Sequence, residues 1–198
     1  MNYLRLWDAT LAIPSGVSIG EGELLYRLSE EILKENTGSV VEIGAYLGKS
    51  TIFLSATGLV YSIDHHRGNK EHQIGQPRCR PGTVIDGRVD TYPLYKTNLE
   101  KIGLWQNVVP VVTDHITALS YLDASVFPIR LLFIDAEHSY KATQSIIETW
   151  IPHIQGYIIF HDYCSDFPEV IRAVDEAQLG EPTFKQDTMI VFDTRRLK

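Results

Sequence analysis

The sequence is poor in cysteine and in positive charge. Its 198 residues include two cysteines, Cys79 and Cys164, which are too few for a disulfide framework. Lysine and arginine number 18 against 25 acidic residues, and the formal charge of -7 argues against a protein that binds the phosphate backbone of DNA or RNA. No apolar run reaches the length of a membrane span, and Arg5 and Asp8 interrupt the N-terminus where a signal peptide would need an apolar core. We therefore expect a cytoplasmic protein with no nucleic-acid or membrane partner.

The chain does contain an alternation of strand and helix patterns. Hydrophobic residues make up 44% of the sequence, so a single domain over 1–198 is expected. The leading segment, 1–38, is predicted to be helical, because Ser18 and Glu21 resemble a capping box and apolar residues follow at helical spacing until near Thr37. Short apolar runs are typical of strands that are covered on both faces, and they lie at 40–43, 60–63, 108–112, 130–134 and 157–160. Helices are predicted at 49–57, 140–150 and 168–178, and a last strand at 188–192.

A glycine-containing turn follows the first strand and leads directly into a helix. Glycines there let backbone N–H groups come close to a ligand. The pattern Gly44-x3-Gly48-Lys49-Ser50 resembles the phosphate loop of an ATPase. A phosphate loop needs four residues between its glycines, however, and Glu42 at the strand end would repel a polyphosphate. A cationic ligand fits this turn better than a nucleoside triphosphate.

The second strand ends in an acidic residue that indicates the kind of ligand. Asp64 lies twenty residues after Gly44. In a doubly wound fold, an acid at this spacing hydrogen-bonds the two hydroxyls of a ribose. The middle glycine of a dinucleotide fingerprint is missing, since residues 45–47 contain none. We therefore expect a nucleoside without phosphates ahead of NAD(H).

These motifs resemble those of a known enzyme family. Glu-Ile-Gly-Ala-Tyr-x-Gly-x-Ser over 42–50, followed by Ile-Asp at 63–64, is similar to the first two motifs of the class I S-adenosylmethionine-dependent methyltransferases. Within this class the chain resembles the catechol-type O-methyltransferases and a group of small bacterial enzymes with a motif similar to residues 133–140. The resemblance implies an α/β fold: a Rossmann-like, doubly wound sheet of seven strands, with the last strand antiparallel and helices on both faces. It also implies methyl transfer to a hydroxyl oxygen of a small metabolite.

The resemblance further implies which residues bind the cofactor. The residues of the first turn would surround its methionyl end, and they are Glu42, Gly44, Ala45, Tyr46, Gly48 and Ser50. Asp64 would hold the ribose, and Asp114 would lie near the adenine amino group. His65 rather than His66 is predicted to face the cofactor, because neighbouring residues of an extended chain point to opposite sides.

Acidic and imidazole side chains follow two strands that are neighbours in the strand order of the family. Asp135 ends one strand, and His161 and Asp162 follow the other, so they are predicted to hold a divalent cation such as Mg²⁺, Mn²⁺ or Fe²⁺. Catechol-type enzymes carry Asp-Asn where this chain has His161-Asp162, which leaves the metal open. His138 stands where the catechol-type pattern has a lysine that takes the acceptor's proton. With Asp135 beside it, His138 is therefore the predicted catalytic base.

The stretch 65–91 has no clear periodicity and is too long for an ordinary connection. It is either a solvated loop or a lid whose Arg78 or Arg80 pairs with an anionic group on a small-molecule acceptor. Two alternatives to the methyltransferase stay open. One is a nucleoside triphosphatase, and the other is a cephalosporin-hydroxylase-like metal oxygenase or a non-catalytic cofactor binder on the same fold. A homo-oligomer is equally open.

Overall fold

The computed structural model describes residues 2–35 and 38–196, apart from the side chain of residue 35. Two helices occupy the leading segment, α1 (Tyr3–Thr10) and α2 (Ile19–Glu35). The predicted capping box is confirmed at the start of α2, because Ser18 Oγ accepts a hydrogen bond from the Glu21 N–H at 3.1 Å and Glu21 Oε2 accepts one from the Ser18 N–H at 2.8 Å. The predicted helix end near Thr37 lies outside the described residues. The separate helix α1 was not predicted.

A seven-stranded sheet forms the centre of the protein. Its strands are β1 (Ser39–Ile43), β2 (Val60–Ile63), β5 (Val108–Val111), β6 (Ile129–Ile134), β7 (Ile154–Phe160), β8 (Phe184–Gln186) and β9 (Met189–Asp193), and a separate hairpin contains β3 (Val84–Ile85) and β4 (Arg88–Val89). The strand order in the sheet is β5-β2-β1-β6-β7-β9-β8. Neighbours from β5 to β7 are parallel, whereas β9 is antiparallel to both β7 and β8. This confirms the predicted Rossmann-like sheet with an antiparallel last strand.

Helices cover both faces of the sheet, and the alternation of strand side chains explains why. Val40, Leu131 and Phe133 pack in one buried cluster, while Val41 and Leu132 pack in a second cluster on the opposite face. The helices after α2 are α3 (Lys49–Ser55), α4 (Tyr92–Ile102), α5 (His115–Ala118), α6 (Tyr140–Trp150) and α7 (Pro168–Glu176). The first cluster includes residues of the helices up to α4, and the second includes residues of α5 to α7. Since both faces are buried, the strands are almost entirely apolar.

The long loop 65–91 has local structure of its own. It contains 3₁₀ turns at Lys70–His72 and Pro81–Thr83, and then the β3–β4 hairpin. Its first half folds over the carboxyl ends of the strands, where residues 68–80 contribute to the wall of a cavity. Within the described part of the chain, no helix combines the length and the apolar character needed to cross a bilayer.

The sheet topology places a crevice beside β1. The chain runs from β1 outward to β2 and β5, and then returns to the other side of β1 as β6. In open α/β sheets, ligands bind outside the carboxyl ends of the strands at the point where the strand order reverses. The ends of β1, β2 and β6 are therefore the expected place for a binding site.

Candidate active site

A cavity of about 560 Å³ opens at the carboxyl ends of β1, β2, β5, β6 and β7. Its volume suits a small organic ligand. The wall also includes residues 14–16 before α2, parts of the loop 65–91, the starts of α3 and α6, and Phe167. Most of the residues predicted for the cofactor, the metal and catalysis lie on this wall, namely Gly44, Ala45, Tyr46, Ser50, Asp64, His65, Asp114, Asp135, His138, His161 and Asp162. The structure thus brings them into one space, with the exception of Glu42 and Gly48.

Two glycines with left-handed backbone shape the turn after β1. Gly44 has φ +90°, and a Cβ atom there would lie 1.8 Å from the carbonyl oxygen of Asp135 at the end of β6. Gly48 has φ +87°, and a Cβ atom there would lie 3.0 Å from the ring of Tyr95 in α4. Gly48 therefore serves the turn and its packing. Gly48 does not line the cavity, and its contact with the cofactor stays a prediction.

Glu42 is fully buried beneath the turn and does not line the cavity. Its buried carboxyl group accepts hydrogen bonds from Ser50 Oγ at 2.6 Å, Thr51 Oγ1 at 2.6 Å and Ser62 Oγ at 2.8 Å. Burial raises the pKa of Glu42 to about 7, although the hydroxyl donors act in the opposite direction. Glu42 therefore connects the start of α3 to β1 and β2, and its contact with the cofactor stays a prediction.

Asp64 faces the cavity from the end of β2, but much of its carboxylate is already hydrogen-bonded. Oδ2 accepts bonds from the N–H groups of Ala45 and Tyr46, both at 2.9 Å, and Oδ1 accepts one from the His66 N–H at 2.6 Å. Burial would raise the pKa of Asp64, but the interaction with His66 and the three N–H donors outweigh it and lower the pKa. A carboxylate offers about four lone pairs, so about one is left for a ligand.

The residues predicted to accompany Asp64 lie at the same end of the cavity. His65 lines the cavity, whereas His66 is buried with its Nδ1 2.8 Å from Thr91 Oγ1. Asp114 lines the cavity at the start of α5, where its Oδ1 caps the helix by accepting a hydrogen bond from the Thr117 N–H at 2.9 Å. Its carboxylate thus has a structural partner in addition to its predicted place near adenine.

Three side chains that could hold a metal ion converge where β6 and β7 end. The candidate ligand atoms of Asp135, His161 and Asp162 all lie within 4.8 Å of one another. His161 Nδ1 lies 3.2 Å from Asp162 Oδ1 and 3.7 Å from Asp135 Oδ1. This Nδ1 atom of His161 is buried and has no hydrogen-bond partner among the described residues. Asp162 has φ +57°, a left-handed conformation that costs free energy for a residue with a side chain and that recurs at functional sites.

The other ring nitrogen of His161 faces a buried acid that the sequence did not reveal as part of the site. His161 Nε2 lies 3.4 Å from Glu21 Oε2, and Glu21 Oε1 accepts hydrogen bonds from the Thr188 N–H at 2.8 Å and from Thr188 Oγ1 at 2.7 Å. A histidine that binds a metal commonly donates its second N–H to a carboxylate. The capping motif accounted for the presence of Glu21 from the local sequence alone. Nothing in the sequence indicated its contact with His161, which lies 140 positions further along the chain.

His138 lies beside the same carboxylates. Its Nε2 is 2.8 Å from Asp162 Oδ2 and 4.0 Å from Asp135 Oδ1, and its ring lies 4.3 Å from the ring of Phe167. Burial alone would lower the pKa of His138, but the interactions with Asp135 and Asp162 outweigh burial and raise the pKa to about 9. A second missed residue, Glu71 of the long loop, places its Oε1 3.4 Å from His138 Nδ1.

The long loop also brings positive charge to the cavity. Arg78 and Arg80 line the wall. The Arg78 guanidinium lies 5.8 Å from the centre of the Phe167 ring, and its Nη1 lies 3.8 Å from Glu71 Oε1. Arg78 therefore lies on the His138 side of the cavity, where an acceptor would approach a catalytic base, whereas Arg80 interacts with the Tyr46 side chain in the turn after β1.

The fold and the site together define a class of protein. The protein has the open α/β sheet of a Rossmann-like enzyme domain. A glycine turn follows β1, an acid follows β2, and a polar cluster follows β6 and β7. Residues 41–163 match the family described as "Methyltransferase domain". The chain belongs to this family and is a methyltransferase. Membership favours the methyltransferase interpretation of the glycine turn over the phosphate loop.

Solved structures of similar fold include O-methyltransferases. NovP, an O-methyltransferase, is 17% identical with a TM-score of 0.70, over 92% of this chain and 82% of NovP. CalS11, a TDP-rhamnose 3'-O-methyltransferase, is 16% identical with a TM-score of 0.60, over 96% of this chain and 92% of CalS11. TomG from Streptomyces achromogenes, an O-methyltransferase in complex with SAM, is 15% identical with a TM-score of 0.59, over 97% of this chain and 89% of TomG. At these identities the likeness concerns the fold.

Proposed function

We propose that the protein transfers the methyl group of S-adenosylmethionine to a hydroxyl oxygen of a small acceptor. The observation that carries this proposal is that one cavity joins the glycine turn and Asp64 to the cluster of Asp135, His138 and Asp162. A methyl donor and an acceptor must lie side by side for an in-line transfer, and holding them so lowers the barrier by about 7 to 11 kcal/mol. The SAM complex of the structural neighbour TomG supports the choice of cofactor.

The cofactor would lie along the carboxyl ends of β1, β2 and β5. Its methionyl end would rest on Gly44 and Ser50, which both line the cavity where β1 leads into α3. The free lone pair of Asp64 would accept a ribose hydroxyl, with His65 beside it. Asp114 would approach the adenine amino group from the start of α5.

The side chains of Asp135, His161 and Asp162 fit a divalent cation. Two carboxylates and one imidazole suit Mg²⁺, Mn²⁺ or Fe²⁺. His161 Nδ1 is buried without a hydrogen-bond partner among the described residues, and a bound cation would be its partner. A bound cation would lower the pKa of an acceptor hydroxyl and offset the charge of Asp135 and Asp162. His138 would then accept the hydroxyl proton, for which its imidazole must be neutral.

The acceptor is proposed to be a small molecule with an anionic group. Arg78 and Arg80 provide positive charge on the cavity wall of an acidic protein, and Arg78 lies on the same side of the cavity as His138. The fold neighbour CalS11 is named for a TDP-sugar acceptor, which is anionic. Once an acceptor is found, replacing both arginines by Ala should raise its KM with little change in cofactor binding. An unchanged KM would contradict the assignment of these residues.

Calorimetric titration tests the cofactor. Wild-type protein should bind S-adenosylhomocysteine and should not bind ATP or NAD. Asp64→Asn should weaken S-adenosylhomocysteine binding by about tenfold or more, because a charged hydrogen bond contributes about 1.5 to 3 kcal/mol. Asp123→Asn is the matched control, since Asp123 also accepts a backbone N–H, at 2.8 Å from Ser125, but lies outside the cavity. Binding of ATP in place of S-adenosylhomocysteine would overturn the proposal.

A turnover assay tests the chemistry. Release of S-adenosylhomocysteine from S-adenosylmethionine would be followed over a panel of phenols, sugars and nucleotide sugars, with Mg²⁺, Mn²⁺ or Fe²⁺ present. His138→Ala should lower kcat about 100-fold or more and leave cofactor affinity unchanged. Full turnover in this variant would exclude His138 as the base. Iron retained in the purified protein would instead favour the metal oxygenase.

The cytoplasmic location stays a prediction.

A further inference from the structure

Lys49 has no role in the proposed reaction, although it lines the cavity and is only 8% exposed. Its Nζ lies 4.2 Å from the centre of the Trp7 ring in α1. No carboxylate of the described residues forms an ion pair with it within 4.0 Å. Burying a charge costs free energy unless the charge is paired, and burial lowers the pKa of Lys49 accordingly. A ring face compensates only in part, so the site lacks an anion.

The cavity wall carries donor groups other than Lys49. Ser50, the next residue in α3, lines the cavity, as do residues 14–16. Ser15 Oγ accepts a hydrogen bond from the Val17 N–H at 3.1 Å, which leaves the hydroxyl hydrogen of Ser15 free to donate. The same cavity therefore contains a hydroxyl donor in addition to the Lys49 ammonium group.

The position of Lys49 separates it from the acceptor's side. Arg78 lies against Phe167, and the Phe167 ring contacts His138, so this arginine belongs with the catalytic base. Lys49 instead begins the helix that directly follows the glycine turn, and it contacts α1 through Trp7. An anion bound by Lys49 would thus belong to the molecule that rests on the glycine turn.

We propose that Lys49 binds the carboxylate at the amino-acid end of the S-adenosyl ligand. This inference rests on the methyl-transfer function proposed above, in which that end of the cofactor lies on the turn beside Ser50. The Lys49 ammonium group donates a hydrogen bond to the carboxylate, and Trp7 shields the pair from water. A charge-assisted hydrogen bond in such a setting is among the stronger ones in proteins.

The experiment compares two ligands that differ by the amino-acid end. S-adenosylhomocysteine carries the carboxylate, whereas 5'-methylthioadenosine keeps the nucleoside and sulfur without it. Their dissociation constants would be measured by calorimetry for wild type, for Lys49→Met, and for the control Lys96→Met. Methionine keeps an apolar chain against Trp7 without the charge. Lys96 also lies over a tryptophan ring, at 5.4 Å from Trp105, but outside the cavity.

We expect Lys49→Met to weaken S-adenosylhomocysteine binding about 10- to 100-fold and to change 5'-methylthioadenosine binding by less than about twofold. Lys96→Met should change neither. Equal weakening of both ligands, or no change in either, would overturn the role of Lys49 while the proposed cofactor stands. If wild type binds neither ligand, the proposed function itself fails. Should Lys49→Met not fold, Lys49→Gln provides the same comparison.

Discussion

Replacing Glu42 by glutamine should remove a pH dependence that this carboxyl group imposes on stability. Glu42 is fully buried, and its pKa is raised from 4.5 to about 7 by that burial. Between these pH values the folded state holds the proton and the unfolded state does not. The contribution of Glu42 to stability is therefore fully present below pH 4.5 and is lost as the pH rises to about 7. At about 1.4 kcal/mol per pH unit, the loss amounts to about 3 kcal/mol.

Urea unfolding of wild type and Glu42→Gln at pH values from about 4.5 to about 8 measures this effect. Glutamine has nearly the same shape and does not titrate, so the other titrating groups cancel in the difference between the two proteins. We expect wild type to lose about 3 kcal/mol relative to the variant as the pH rises, and the difference to level off above about pH 7.5. Glu100→Gln, at a half-exposed position of α4, is the control for removing one carboxylate. A difference for Glu42→Gln that does not change with pH would refute the raised pKa.

Two further predictions concern the turn and the metal cluster. Gly44→Ala should lower the free energy of unfolding, measured with urea, by about 3 kcal/mol or more, because the new methyl group meets the Asp135 carbonyl oxygen. Gly87 is the control, since it has φ +74° but open space around it. Gly87→Ala should lower the free energy of unfolding by about 1 to 2 kcal/mol in the same assay. Equal losses would contradict the close approach at Gly44. Glu21→Gln should weaken Mn²⁺ binding about tenfold by paramagnetic resonance titration, because Glu21 orients His161 toward the cluster. Unchanged Mn²⁺ affinity would remove Glu21 from the metal site.

The sheet could be predicted from sequence because its strands are buried on both faces. Runs such as Leu131 to Ile134 are apolar at every position, and this pattern is typical of strands covered on two sides. The edge strand β8 was missed for the same reason, since Phe184, Lys185 and Gln186 do not form an apolar run and are largely exposed. Local sequence therefore identified six of the seven strands, including the apolar edge strand β5, and missed only the polar edge strand β8.

The cavity was harder to predict because its walls join residues far apart in the chain. Asp135 and Asp162 could be paired only through the strand order that the family resemblance implies. The contact of Glu21 with His161 and that of Glu71 with His138 depend on how α2 and the long loop pack over the sheet. No periodicity encodes such contacts, so both acids escaped sequence analysis.

The structure also gives a physical reason why the glycine turn does not act as a phosphate loop. In a phosphate loop, converging backbone N–H groups bind the phosphate oxygens. Here the N–H groups of Ala45 and Tyr46 converge on Asp64 Oδ2, so a carboxylate of this chain occupies the position that a phosphate oxygen would take. A polyphosphate would have to displace that carboxylate and then lie next to its negative charge. The selection against nucleoside triphosphates therefore follows from the carboxylate at the end of β2 as well as from the spacing of the glycines.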